Sequence, residues 1–170
     1  MIQELAKKLA ALTEFVDCVI IELKFRRGSF EAGTKILKAH STPTVIRVRS
    51  AEAELLVKLI RPRSEIKSAL GIKIQSSEKI WRIFTASEVL SFVNDTGDEN
   101  KIYRLNPPIV PALLILETLC TEFAVNFIKL KFKHFITAGE PLSLQIVGNR
   151  LEIIGAGVKK ILGEINDLKS

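Results

Sequence analysis

Tryptophan, tyrosine and methionine occur once each in these 170 residues, and cysteine and histidine twice. Two cysteines cannot build the disulfide framework of a small secreted domain. Cys18 and Cys120 both sit in apolar segments, which suits buried thiols in a reducing compartment. No spacing of His, Cys, Asp and Glu resembles a zinc site, so no metal is expected. The glycines are scattered, and Gly33, Gly139, Gly155 and Gly157 make no phosphate-cradling loop. Long apolar runs are missing too. The longest, IVPALLIL, is far too short to cross a bilayer. The opening MIQELAKKLAALTEF is broken by Glu4, Lys7 and Lys8, so neither a signal peptide nor a membrane span is expected. These absences point to a cytoplasmic protein without membrane contact.

What is present is enough for a core. The chain is 47% hydrophobic and 26% charged, which excludes a disordered polymer and allows one ordinary domain or two very small ones. Lys and Arg outnumber Asp and Glu by 25 to 19, a net charge of +6. That balance admits an acidic partner, whether a phosphate-bearing cofactor, an acidic carrier protein or nucleic acid, and equally a Lys-rich solvated surface. In LKFRR and KLKFKH the cations alternate with Phe and Leu. This is the pattern of half-buried strands rather than of a stacking nucleic-acid surface, so nucleic acid is not the expected partner.

Ile2, Leu5, Ala6, Leu9, Leu12 and Phe15 recur at helical spacing and predict a helix over 2–15. VDCVIIELKF, TKILKAHS, PTVIRVRS and AELLVKLI read as strands, followed by a polar connector, RPRSEIKSA. IKIQSSEKIWRIF returns to strand character. TASE is a capping-box pattern opening a short helix over 86–94. A loop over 94–108 leads into an apolar helix over 109–123. NFIKLKFKHF, PLSLQIV, RLEIIGA and VKKILGEI complete the chain as strands. A helix apolar all round must be covered all round, and a curved antiparallel sheet wrapped about it does that.

The layout repeats itself. Thr13-Glu14-Phe15 returns at Thr121 (121 − 13 = 108), Leu23-Lys24-Phe25 at Leu130 (130 − 23 = 107), and Ala32-Gly33 at Ala138 (138 − 32 = 106). Each step loses one residue, as a shortened loop or a bulge would require. The matches fall in order along a helix–strand–turn–strand series, which favours a duplication over coincidence. The division expected is a first half over 1–61, a connector over 62–79, and a second half over 80–170. Only the second half has the loop that carries Asp98.

FTASEVLSFVNDTGDENKIY resembles the hydratase motif of MaoC-like hot-dog proteins, Phe-Thr, a short helix, then Thr-Gly-Asp-x-Asn-x-Ile-His. PPIVPALLILETL is similar to the central-helix motif of the related β-hydroxyacyl-carrier-protein dehydratases, and FKHFITAGEPL to the strand and turn that follow it in both. The resemblance covers residues 80–170. It implies an α+β hot-dog fold, here a truncated double hot-dog. It also implies hydration of a 2-enoyl thioester, or dehydration of a 3-hydroxyacyl thioester, of coenzyme A or acyl carrier protein. In that scheme an acid/base pair moves protons, and backbone N–H groups at the start of the central helix polarise the carbonyl. No cofactor is implied beyond the coenzyme A or carrier that is part of the substrate.

By position, Asp98 and Glu117 match the catalytic acids, Asn100 is the neighbour of the first, and Ala112 and Leu113 stand at the start of the central helix against the substrate. Two positions depart from the pattern. The family histidine falls at Tyr103 and a family glycine at Ala112. A phenol has a reference pKa of about 10 and is a poor base at neutral pH, though it donates a hydrogen bond. Strand alternation places neither His40 nor His134 at the loop, and both read as structural. Glu117 stands among Leu113, Leu114, Leu116 and Cys120, where a carboxylate is costly unless it is paired or neutral. Its plain reading is a structural pair, that of Asp98 a loop cap, and that of Tyr103 a packing aromatic.

Three readings follow. One is a hydratase or dehydratase using Asp98, Glu117 and Tyr103. Another is a non-catalytic hot-dog protein that binds an acyl thioester, or pairs with an active hot-dog subunit in a hetero-oligomer. The third is a hot-dog thioesterase. A duplicated chain could act alone as a pseudo-dimer or pair again as a homodimer.

Overall fold

The computed structural model describes residues 1–39, 42–66 and 79–166. Among these, nine strands form one antiparallel sheet and three α-helices pack against it. In chain order the elements are α1 (Ile2–Ala10), β1 (Val19–Arg27), β2 (Gly33–Lys38), β3 (Thr44–Arg49), β4 (Ala53–Ile60), β5 (Arg82–Ile83), α2 (Ala86–Thr96), α3 (Ala112–Glu122), β6 (Phe127–Phe132), β7 (Pro141–Val147), β8 (Arg150–Gly155) and β9 (Val158–Asn166). The order across the sheet is β2-β3-β4-β1-β6-β9-β8-β7-β5.

Alternation sets the inward face. Along β4, Ala53, Leu55, Val57 and Leu59 are buried while their neighbours are partly exposed. β1 turns Leu23 and Phe25 inward, and β6 turns Ile128 and Leu130 inward. This face wraps α3, on which Ala112 to Leu116 and Thr118 to Cys120 are all buried. Leu113, Ile115, Leu116 and Leu119 each contribute roughly 1.5–3 kcal/mol by leaving water, so burial rather than capping holds α3 in place. The predicted wrapped helix is therefore present, and with it the α+β hot-dog arrangement.

Read outward from the β1–β6 boundary, the two sides have the same order. One side runs β1, β4, β3, β2, and the other runs β6, β9, β8, β7. Leu23 lies directly opposite Leu130, its counterpart in the sequence repeat. Residues related by the repeat face each other only if a local two-fold axis passes between them. The fall in offset from 108 to 107 requires one extra residue in the first copy between Thr13 and Leu23. The register of β1 against β4 skips there, between Ile20 and Glu22, leaving Ile21 as the bulged residue.

Several expected boundaries move. α1 ends at Ala10 and the chain continues as a 3₁₀ turn, Thr13–Phe15. α3 starts at Ala112 rather than 109, because Pro111 occupies its N-cap with extended backbone. A 3₁₀ turn, Lys101–Arg104, interrupts the expected loop over 94–108. Of the strand expected over 72–84, residues 72–78 lie outside the described residues, as do His40 and residues 67–78 of the connector; Arg82 and Ile83 form the short β5. No helix among the described residues is long and apolar enough to cross a membrane.

Candidate functional site

The loop that carries Asp98 is set by the ends of α2. The Thr85 hydroxyl accepts from the Glu88 N–H at 3.1 Å, and the Glu88 carboxylate accepts from the Thr85 N–H at 2.7 Å. This is the capping box read from TASE, and these bonds hold the Glu88 carboxyl below its usual pKa. At the other end Gly97 takes a left-handed conformation (φ 73°), which a side chain would disfavour, and so ends the helix. The chain then turns inward. Asp98 Oδ1 accepts from the Asn100 N–H at 3.0 Å.

Asn100 is buried and bonded at both ends of its side-chain amide. Its Oδ1 accepts from the Ile102 N–H at 3.3 Å, and its Nδ2 donates to the Cys18 carbonyl at 2.9 Å. It thus ties the loop to the lead-in of β1. Tyr103 follows on the 3₁₀ turn and is buried in the core.

Tyr103 lines two cavities. The larger, of about 360 Å³, lies at the start of α3 and is walled by Ile20, Ile60, Ala112, Ile115, Phe132 and Ile136, with Lys133 and His134 also facing it. The smaller, of about 50 Å³, is lined by Asp98, Asn100, Phe92, Leu113 and side chains of the first half such as Leu9 and Leu12. Tyr103 and Ile20 are common to both, so they form the partition. The first half thus supplies part of the wall of each.

The start of α3 is chemically open. Pro111 has no N–H and no side chain caps the helix. Leu114 and Ile115 N–H bond back to the Pro111 carbonyl at 3.1 and 3.2 Å. The N–H groups of Ala112 and Leu113 have no acceptor within the helix, and the helix dipole makes this end electropositive. Ala112 lines the larger cavity and Leu113 the smaller.

The expected site residues are only partly brought together. Asp98, Asn100 and Leu113 share the small cavity, Ala112 faces the large one, and Tyr103 stands between. Glu117 joins neither lining. At about 100° per residue it is turned roughly 140–160° from the face that carries Ala112 and Ile115. It is half-buried beside Gln3, the chain's amino terminus and Asp95. Glu122 is exposed, as expected, and accepts from the Trp81 indole N–H at 2.6 Å.

His134 requires a correction. The expected strand over 126–135 ends at Phe132, so alternation no longer governs where residue 134 sits. The segment beyond is pinned on both sides. Lys133 and His134 N–H donate to the Lys160 carbonyl, Val110 N–H donates to the Ile136 carbonyl, and Ala138 N–H to the Pro108 carbonyl. The Lys160 ammonium donates to the Phe135 carbonyl at 3.1 Å. It also lies 2.9 Å from Glu140 Oε1, out of line for a hydrogen bond, so that contact is ionic. The result brings His134 to the cavity that holds Tyr103 and Ala112.

Burial is the main cause of the shifted acidities. It holds Asp98 above the usual carboxylate range, against the opposing Asn100 N–H and Arg104. Burial first, and the Asp98 charge second, raise the Tyr103 phenol, so Tyr103 acts only as a neutral donor or acceptor. Burial also raises Glu117, opposed by Gln3 and the amino terminus. The Cys120 thiol is pushed up to about 12, chiefly by burial, which keeps it in the thiol form near neutral pH. Among the described residues, no group of three or more His, Cys, Asp or Glu is placed to hold a metal.

No protein-family model matches the chain, and no curated protein sequence does. Solved structures do. HtdX from Mycobacterium tuberculosis superposes with a TM-score of 0.62 at 10% identity, over 98% of this chain and 87% of that one. A MaoC-like dehydratase from Phytophthora capsici gives 0.52 at 13% identity, over 88% and 71%. An acyl-ACP thioesterase from Bacteroides thetaiotaomicron gives 0.48 at 12% identity, over 95% and 81%. At these identities the likeness is one of fold, and the fold is the hot-dog fold.

Proposed function

We propose that this protein binds an acyl thioester of coenzyme A or acyl carrier protein, with the thioester carbonyl at the start of α3. The carrying observation is that an apolar cavity of about 360 Å³ meets a helix N-terminus whose leading N–H groups have no acceptor in the helix. Such an end favours a polarised oxygen, and an apolar wall favours a hydrocarbon chain. In this reading the second half, 80–170, supplies the carbonyl site, and the first half, 1–61, closes the cavity through Ile20 and Ile60. Calorimetric titration with butyryl-CoA and lauroyl-CoA tests it. Ala112→Leu, which fills the cavity mouth, is expected to abolish binding while the circular dichroism stays native. Unaltered affinity in that variant would refute the site.

A second reading, hydration or dehydration through Asp98, has one observation in its favour. Tyr103 borders both cavities and lies close enough to Asp98 to feel its charge, so the phenol could relay hydrogen bonding from Asp98 to a bound enoyl group. Loss of enoyl absorbance from crotonyl-CoA is then expected, and Asp98→Asn is expected to abolish it. Under this reading Tyr103→His, which restores the family residue, raises the rate. Glu117 lines neither cavity and is given no part in either scheme.

A further inference from the structure

The larger cavity contains three side chains able to carry a charge or exchange a proton, namely Tyr103, Lys133 and His134, and among the described residues no carboxylate lines it. Burial removes Tyr103 as a base near neutral pH. Imidazole is the side chain that ordinarily exchanges a proton in that range. We infer that His134 is a general base in this cavity and that the reaction it serves is hydrolysis of the bound thioester. This rests on the acyl-thioester reading above and adds a reaction and a residue to it.

The placement suits that role. His134 is exposed to solvent while also facing the cavity, so water reaches it without crossing the acyl pocket. Its backbone is fixed by the bond to the Lys160 carbonyl, and the Phe135 carbonyl beside it is held by the Lys160 ammonium.

The chemistry balances with this one base. His134 takes a proton from water as the water oxygen bonds to the carbonyl carbon. The carbonyl π pair moves onto oxygen, which faces the N–H groups at the start of α3. When the carbonyl reforms, the C–S bond breaks and the imidazolium returns its proton to the departing sulfur. Water and thioester give a carboxylic acid and a free thiol, with no further reactant.

The test uses the full chain with butyryl-CoA and lauroyl-CoA, following thiol release with a chromogenic disulfide and binding by calorimetry in parallel. Thiol release is expected from the unaltered protein. His134→Gln is expected to lower kcat by about 10²-fold or more while leaving affinity unchanged. Binding without thiol release overturns the inference and leaves the binding reading standing. An unchanged rate in His134→Gln also overturns it, as does lost affinity at constant kcat. Absence of any binding overturns both.

Discussion

Lys160 and Glu140 form a buried ion pair that holds the segment carrying His134, and removing one partner is expected to be far worse than removing both charges. Their side chains are only 10% and 1% exposed, so solvent screens them little. Glu140 Oε2 accepts from the Thr137 N–H at 3.2 Å, and Gly155 packs so closely on Glu140 that any β-carbon there would collide with its carboxylate. Lys160→Met leaves it buried without its cation, which costs about 3–5 kcal/mol. For a chain of this length that is a fall in Tm of roughly 6–20 °C. The double variant Lys160→Met/Glu140→Gln keeps the shape and removes both charges. It is expected to recover most of the loss, ending within about 1–2 kcal/mol of the unaltered protein. Urea unfolding followed by circular dichroism measures all four corners of the cycle. A loss below about 1 kcal/mol in Lys160→Met, the value of an exposed pair, would show that the pair is not buried in solution.

Three further outcomes are expected. Asp98 has its folded pKa raised by burial, so the folded state binds the extra proton and stability falls as pH rises from the unfolded value through the folded one. Asp98→Asn is therefore expected to be more stable than the unaltered protein at pH 7, with the difference vanishing below about pH 4 in thermal melts. Asn100→Ala loses the bonds to the Cys18 carbonyl and the Ile102 N–H and strands both groups. Its cost is expected to be about 2–4 kcal/mol, read as a lower urea midpoint. Tyr103→Ala removes the partition between the two cavities, so calorimetry across an acyl-CoA series is expected to shift preference toward longer chains. No shift in a folded variant would mean that the cavities do not join.

The sequence by itself determined most of the elements. Apolar spacing marked α1, alternation marked β4 to the residue, and TASE marked the start of α2, because each pattern is local and its burial face follows from helix or strand period alone. The repeat pointed to two like halves, while the two-fold relation that sets Leu23 against Leu130 was decided by the sheet. The wrapped helix followed from its composition, since a segment apolar on every side has no stable place except inside a sheet. The site was decided elsewhere. Asn100 is committed to the Cys18 carbonyl, 82 residues away in the chain. Glu117, singled out by its apolar neighbours, lines neither cavity and sits beside Gln3 and the amino terminus instead. Tyr103 became a wall between two cavities, and His134 reached one of them because β6 ends two residues before it. Local periodicity states which way a residue faces within its own element. Which cavity that face meets depends on how distant elements pack, and that is fixed only when the whole sheet closes on α3.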